Sequence, residues 1–192
     1  MNYCSLKDVK AELGNMVTEA NNGRLNRMIK TVSAGIDKYC NRSFATVTAT
    51  RYFDGVSDHL VIDDLLSVTT LKLDLDGDGT YETTLATTDY LLYPYNETPY
   101  WRIDLAEASA QSGFAAGRRK AVQIAGSWGY ASTVPDDVQQ TCLMMVCRMY
   151  RQSQAGYGTE VGTPDIGTAT VFQGMPSDAK RLLQPFVRPF YG

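Results

Sequence analysis

The residues best spaced for chemistry are Asp74-Leu75-Asp76-Gly77-Asp78-Gly79. Alternating carboxylates followed by a glycine match the first half of an EF-hand loop, where acids converge on a calcium ion and the glycine makes the bend. The twelfth position of such a loop needs a bidentate Glu, and here it is Leu85, so the EF-hand reading fails. Glu82, at the ninth position, keeps open a shorter calcium loop with Asp74, Asp76 and Asp78 in a β-hairpin. The competing reading is a hairpin turn, in which Asp-Gly is chosen because those residues tolerate positive φ.

Other chemistries find less. His59 is the single histidine, so any Ser-His-Asp or Cys-His system must use it. Gly126-Ser127-Trp128-Gly129 lacks the leading glycine of a nucleophile elbow, because Ala125 stands there. One His and four scattered Cys serve zinc poorly. The glycines at 156–167 lack the Lys-Ser/Thr ending of a phosphate loop. Asp63-Asp64 and Asp136-Asp137 are paired acids of the kind common at turns and helix starts. Arg118-Arg119-Lys120 is the one basic run; it is a candidate DNA or partner contact, or a solvated loop before a strand.

The elements that must carry these residues are legible from periodicity. The stretch 134–152, VPDDVQQTCLMMVCRMYRQ, reads as a central helix. Pro135 suits a first helical position, and Asp136 and Asp137 sit at the positive end of the dipole. Val138, Cys142, Met145, Val146 and Met149 recur at helical spacing, widened by Leu143, Cys147 and Tyr150. Met144 falls among Thr141, Arg148 and Arg151 on the polar face, which marks it as a contact residue. Ser5 and Asp8 resemble a capping box opening a short helix to about Leu13, which Gly14 can stop. A second helix runs from about 22 to 41, with Leu25, Met28, Ile29, Val32 and Ile36 on its apolar stripe.

At Phe44 the period changes to alternation. Strands are expected at 46–53, 59–63, 67–74, 80–85, 89–93, 101–105 and 120–128, with turn signals between them. The fold class is therefore α+β: a helical core of about four helices, 1–43 and 131–192, with an antiparallel β-rich domain inserted at 44–130. Tyr93, Tyr95, Tyr100 and Trp101 cluster as a possible contact surface.

The stretch 153–174 is rich in glycine and shows no sustained period, as long functional or disordered loops do. Its apolar residues, Tyr157, Val161, Ile166, Val171 and Phe172, are candidate contacts with a neighbouring subunit. A short last helix starts at Pro176-Ser177-Asp178, carries Leu182 and Leu183 on one side as further candidates, and ends at Pro185. The chain closes PFVRPFYG, so Phe186, Val187, Phe190 and Tyr191 each need a pocket, on this subunit or another.

The totals bound the function. A net charge of −3 over 192 residues is not the footprint of a nucleic-acid or anionic-membrane binder. The apolar fraction of 44% supplies a real core. The N-terminus has no apolar signal core and no run of about eighteen apolar residues occurs, so a soluble, cytosol-made protein is expected. The cysteines at 4, 40, 142 and 147 form no C-x-x-C pair, which suits free buried thiols.

The order of parts resembles the head–tail connector (adaptor, or head-completion) family of tailed bacteriophages and gene transfer agents. The resemblance is carried by a short helix, then a longer helix ending Ile36-Asp37-Lys38-Tyr39-Cys40-Asn41-Arg42, then strands. Gly126-Ser127-Trp128-Gly129-Tyr130 follows, then Val134-Pro135, a long helix with Met149-Tyr150-Arg151, and a short helix near the end. It covers nearly the whole chain as a layout. The resemblance implies a ring of subunits, commonly twelve, below the portal protein, extending a channel for double-stranded DNA without sequence recognition and presenting a surface to the next neck or tail protein. It implies docking through the C-terminal segment, no catalysis, no cofactor, no membrane partner, and a virion-neck location reached by assembly in the host bacterial cytoplasm. A neighbouring stopper or tail-completion protein is the alternative within that class. A calcium-dependent module on 74–82 and a hydrolase using His59 or an acidic pair are the alternatives outside it.

Overall fold

The computed structural model describes residues 1–154, 160–161, 169–170 and 175–188. The chain divides into two compact units, Met1–Asn41 with Val134–Gly192, and Arg42–Thr133. Among the described residues, four α-helices and one large antiparallel sheet make it α+β.

In the first unit, helix α1 spans Leu6–Leu13. Ser5 caps it, its Oγ accepting the Asp8 amide at 3.1 Å, and Gly14 ends it at φ 54°, a conformation glycine adopts without a Cβ penalty. Helix α2, Asn22–Cys40, buries Leu25, Ile29, Val32 and Ile36 along one stripe and stops at Asn41 in the left-handed region. Helix α3 spans Asp136–Gln154 and packs against α1, α2 and α4 (Ser177–Leu183). The Pro135 carbonyl accepts the Gln139 amide at 3.0 Å, so the proline precedes the helix as its cap rather than opening it as first residue.

The buried face of α3 is Val138, Thr141, Cys142, Val146, Cys147 and Tyr150. This rotates the expected stripe. Thr141 is fully buried, not on the polar face, because its hydroxyl is satisfied by the Asp137 carbonyl at 2.7 Å and its methyl can then face the core. Met145 and Met149, expected in the core, are only half-buried.

The second unit is a sheet in the order β1-β6-β2-β5-β4, with β3 also on β2. Its strands are β1 Val47–Phe53, β2 His59–Leu73, β3 Thr83–Leu85, β4 Tyr90–Tyr93, β5 Tyr100–Leu105 and β6 Val122–Trp128. The two strands expected at 59–63 and 67–74 are one. The register of β2 against β6 pairs Leu65 with Trp128, Val68 with Gly126, Leu71 with Ile124 and Leu73 with Val122, slipping by one residue twice. Each slip is a β-bulge that spends an extra residue and keeps the apolar side chains on one face, so a period-2 reading breaks there. Leu65, Leu71, Ile124, Trp128, Ile103 and Phe114 centre the core of this unit.

The expected strand 80–85 starts only at Thr83, because Thr80 is held in the preceding turn by Asp78. The strand expected at 120–128 starts at Val122, because Lys120 has φ 52° and its amide is held by the Asp54 carboxylate at 2.8 Å. Inside 153–174, two short strands, β7 Glu160–Val161 and β8 Ala169–Thr170, pair antiparallel. Among the described residues no helix is long and apolar enough to cross a membrane.

Candidate functional site

Half-buried apolar side chains line the surface of α3 beside α4. Leu143, Met144, Met145 and Met149 of α3 are each half-buried, and three of the four are the flexible, polarizable side chain that adapts to varied partners. Arg148 sits among them. Its guanidinium forks onto the Asp178 carboxylate in the first turn of α4, with Nη1 to Oδ1 at 2.9 Å and Nη2 on Oδ2. The Arg148 hydrogen bond holds the Asp178 carboxyl down at about 2, helped by the Ala179 amide. Around this pair lies a cavity of about 410 Å³ lined by Met145, Arg148, Met149, Gln152, Pro176, Ser177 and Asp178. On the other flank of Arg148, Met144 and Leu143 line a smaller hollow of about 160 Å³ with Glu12, Gln140, Cys147 and Arg151. An apolar floor with one fixed ion pair can seat an apolar side chain and orient a polar backbone.

The candidate contact residues divide. Met144 is half-buried beside Arg148 and Arg151, and Leu182 is half-buried on α4. Leu183 is fully buried within its own unit, because α4 turns that side chain onto the helical core, so it is withdrawn from the contact set. Phe186 and Val187 are half-buried, and the next residue, Arg188, donates its amide to the Cys40 carbonyl at the end of α2 at 2.9 Å. The chain is therefore anchored to its own unit as far as Arg188. Tyr157, Ile166, Val171, Phe172, Phe190 and Tyr191 lie outside the described residues, as does the side chain of Val161.

The acidic loop is built as a turn. Asp74, 4% exposed, accepts the amides of Gly77 at 2.6 Å and Gly79 at 3.0 Å. Burial pushes its carboxyl up, but these two donors together outweigh it and hold it below the usual carboxylate range. Asp78 accepts the amide and hydroxyl of Thr80, which hold its carboxyl down as well. Asp74, Asp76 and Asp78 each place an oxygen within 4.8 Å of the others, whereas Glu82 is exposed and outside that cluster. Gly77 and Gly79 have φ of 86° and 91°, the positive values the hairpin reading requires. Every carboxylate of the cluster is thus engaged by the loop's own donors.

The basic run is partly absorbed by the same loop. Arg118 reaches the Asp76 carbonyl with its guanidinium, and its own carbonyl accepts the Gly55 amide at 2.7 Å. The Lys120 carbonyl accepts the Tyr81 hydroxyl at 2.6 Å. Arg118, Arg119 and Lys120 are all exposed.

His59 is 58% exposed at the start of β2, with Nδ1 3.1 Å from Asp58 Oδ1. Ser57 Oγ donates to that same oxygen at 2.7 Å and holds the Asp58 carboxyl low. The carboxylate stands between hydroxyl and imidazole, whereas a triad needs the imidazole in the middle. Asp63 pairs with Arg51 at 2.5 Å on one face of β2, and Asp64 is buried on the other with Arg42 Nε at 3.5 Å, so these adjacent acids do not converge.

The Gly126-to-Tyr130 motif is a corner of the sheet. A Cβ on Gly126 would run into the Ser67 carbonyl at the bulge of β2. Trp128 is fully buried and its indole N–H reaches the Ala49 carbonyl at 2.9 Å. Tyr130 meets the Phe44 ring edge-on at 5.4 Å and lies under the Arg42 guanidinium at 4.8 Å. Its aromatics are spent on packing. Sequence periodicity marked Met144 as a surface contact but placed Met145 and Met149 in the core stripe; the signal for the groove was the density of Met in 144–149, since Met is over-used at adaptable binding surfaces.

No protein-family model matches the chain. No curated protein matches it by sequence. Solved structures do match its fold over nearly full length. One is a chain in the neck of an empty gene transfer agent particle reconstructed with C6 symmetry, with TM-score 0.53 and 19% identity over 97% of this chain and 91% of that one. Another, in the neck of a native gene transfer agent particle with C12 symmetry, has TM-score 0.52 and 17% identity over 100% and 97%. A third, in the virion of a native gene transfer agent particle, has TM-score 0.52 and 19% identity over 97% and 91%. At these identities what the chain shares with them is the fold, from one end to the other.

Proposed function

We propose that this chain is a structural head-to-tail adaptor of a tailed phage or gene-transfer-agent-like particle. Copies form a ring, twelve by family resemblance, below a portal protein, extend the channel for double-stranded DNA and present a surface to the next neck or tail protein. The single observation that carries the reading is the end-to-end fold likeness to chains of gene transfer agent necks. The order of sequence elements agrees with it, and so does a surface whose unspent groups suit contact rather than catalysis. The net charge of −3 fits a conduit, because a channel wall studded with phosphate clamps would retard DNA. In this reading the α3–α4 groove, Met144 and Leu182 face another subunit, and the segment from Phe186 onward, including Phe190 and Tyr191, engages the portal. Tyr157, Val161, Ile166, Val171 and Phe172 contact a neighbouring subunit in this reading. Arg119 and Lys120 are the basic side chains left for DNA or a partner. The protein works in the virion neck and is assembled in the host bacterial cytoplasm.

Light scattering of the chain alone and mixed with its portal protein tests this, followed by imaging of any particle formed. A ring, alone or on the portal, is the expected result. A strict monomer that never joins the portal at any concentration overturns the proposal.

A further inference from the structure

Two of the four cysteines, 138 residues apart in sequence, meet in the helical unit. Cys4, in the segment before α1, and Cys142, on α3, place their Sγ atoms 3.2 Å apart, both buried and both thiols. A disulfide bond is about 2 Å long, so the sulfurs need to close by only about 1 Å. The segment is pinned just before Cys4. The Tyr3 amide donates to Ser33 Oγ at 3.0 Å, and the Tyr3 hydroxyl donates to the Asp37 carboxylate, both on α2. Ser33 Oγ in turn lies 3.6 Å from Cys142 Sγ. Cys4 also lines a hollow of about 260 Å³ with Asp8, Asp136, Gln139, Gln140 and Leu143, large enough to admit a molecule of a few atoms.

We propose that Cys4 and Cys142 form an oxidation site at which hydrogen peroxide generates an intrachain disulfide, stapling the N-terminal segment to the central helix. The inference stands on the helical unit alone and does not depend on the neck reading. The pair is unequal. Cys142 is held low by the hydrogen bond from the Cys4 thiol, then by Ser33 and the amides of Cys4 and Tyr3, while Cys4 is pushed up by that same bond and by burial. The Cys4 thiol thus donates to Cys142, which carries the thiolate when the pair loses a proton. The thiolate attacks one peroxide oxygen, the O–O bond breaks, and a sulfenic acid forms as the leaving oxygen takes a proton to become water. The second sulfur attacks the sulfenic sulfur, losing its proton, and the S–O bond breaks to release a second water. Two thiols are oxidised, one peroxide is reduced, and two waters leave. Cys147 cannot compete for Cys142, since five residues on one helix separate their directions by about 140°.

The test treats reduced full-length protein with hydrogen peroxide, quenches it, and maps thiols after denaturation without reductant. The expected result is a fall from four free thiols to two and a mass lower by two hydrogens. A tryptic map should link peptide 1–7 to peptide 121–148, with fragment ions placing the bond on Cys142 rather than Cys147. Cys147→Ser keeps the link, Cys4→Ser loses it, and dithiothreitol reverses it. In the oxidised protein the Tyr3 amide exchanges more slowly. Oxygen added to Cys4 or Cys142 without a link, a link through Cys40 or Cys147, or a link between two chains overturns the proposal. The wild-type map decides even if Cys4→Ser fails to fold.

Discussion

The Arg148 guanidinium grips the Asp178 carboxylate with both terminal nitrogens, fastening the middle of α3 to the first turn of α4. The pair does two things at once: it fixes the angle of the last helix and it places a rigid polar bar across an otherwise methionine-lined groove. Its worth depends on pH in a definite direction. The Asp178 carboxyl is depressed when folded, so the contribution is fully present above its ordinary unfolded value near 4 and is lost as pH falls toward about 2. Asp178→Asn should lower the melting temperature at pH 7, and its difference from wild type should shrink steadily between pH 4 and pH 2. Thermal melts across that window check it; a gap that stays constant with pH contradicts the ion-pair account.

The groove should matter to assembly more than to folding. Met144→Asp and Met149→Glu place a charge on half-buried positions at the surface of α3. Each variant should melt within a few degrees of wild type, while the concentration needed to form the proposed ring rises at least tenfold. Light scattering beside circular dichroism separates the two effects. Normal rings from both variants would remove the groove from the interface.

Leu182 and Leu183 should part company. Leu183 is fully buried, so Leu183→Ala opens a cavity and costs about 2–5 kcal/mol. Leu182→Ala, at a half-buried site, should cost under about 1 kcal/mol, since little burial is lost there. Denaturant titrations give both numbers.

The tail should be divisible at Arg188. Its amide bond to the Cys40 carbonyl and the half-buried Phe186 and Val187 tie the chain down to that point. Deleting 189–192 should leave the melting temperature unchanged and weaken portal binding. Deleting 186–192 should also lower stability. If the shorter deletion unfolds the protein, Phe190 and Tyr191 belong to its own core.

At the corner of the sheet, Gly126→Ala should cost about 1–3 kcal/mol, because the new methyl meets backbone rather than a side chain that can swing away. Urea melts followed by Trp fluorescence, which reports on buried Trp128, would show it.

What the sequence determined by itself was whatever is local. The stripe Leu25-Ile29-Val32-Ile36 names the buried face of α2, Ser5 and Gly14 bracket α1, and Asp-Gly pairs mark the hairpin turn, since capping, periodicity and positive φ are settled within a few residues. The tertiary structure decided the rest. Two bulges fused a pair of expected strands into β2, because only the partner β6 shows that Leu65, Val68 and Leu71 share a face. Burial of Thr141 and partial exposure of Met145 and Met149 depend on where α1, α2 and α4 press on α3, which no period on α3 encodes. The meeting of Cys4 with Cys142 joins residues that the chain keeps far apart, and only packing of the N-terminal segment against α2 and α3 could bring those sulfurs together.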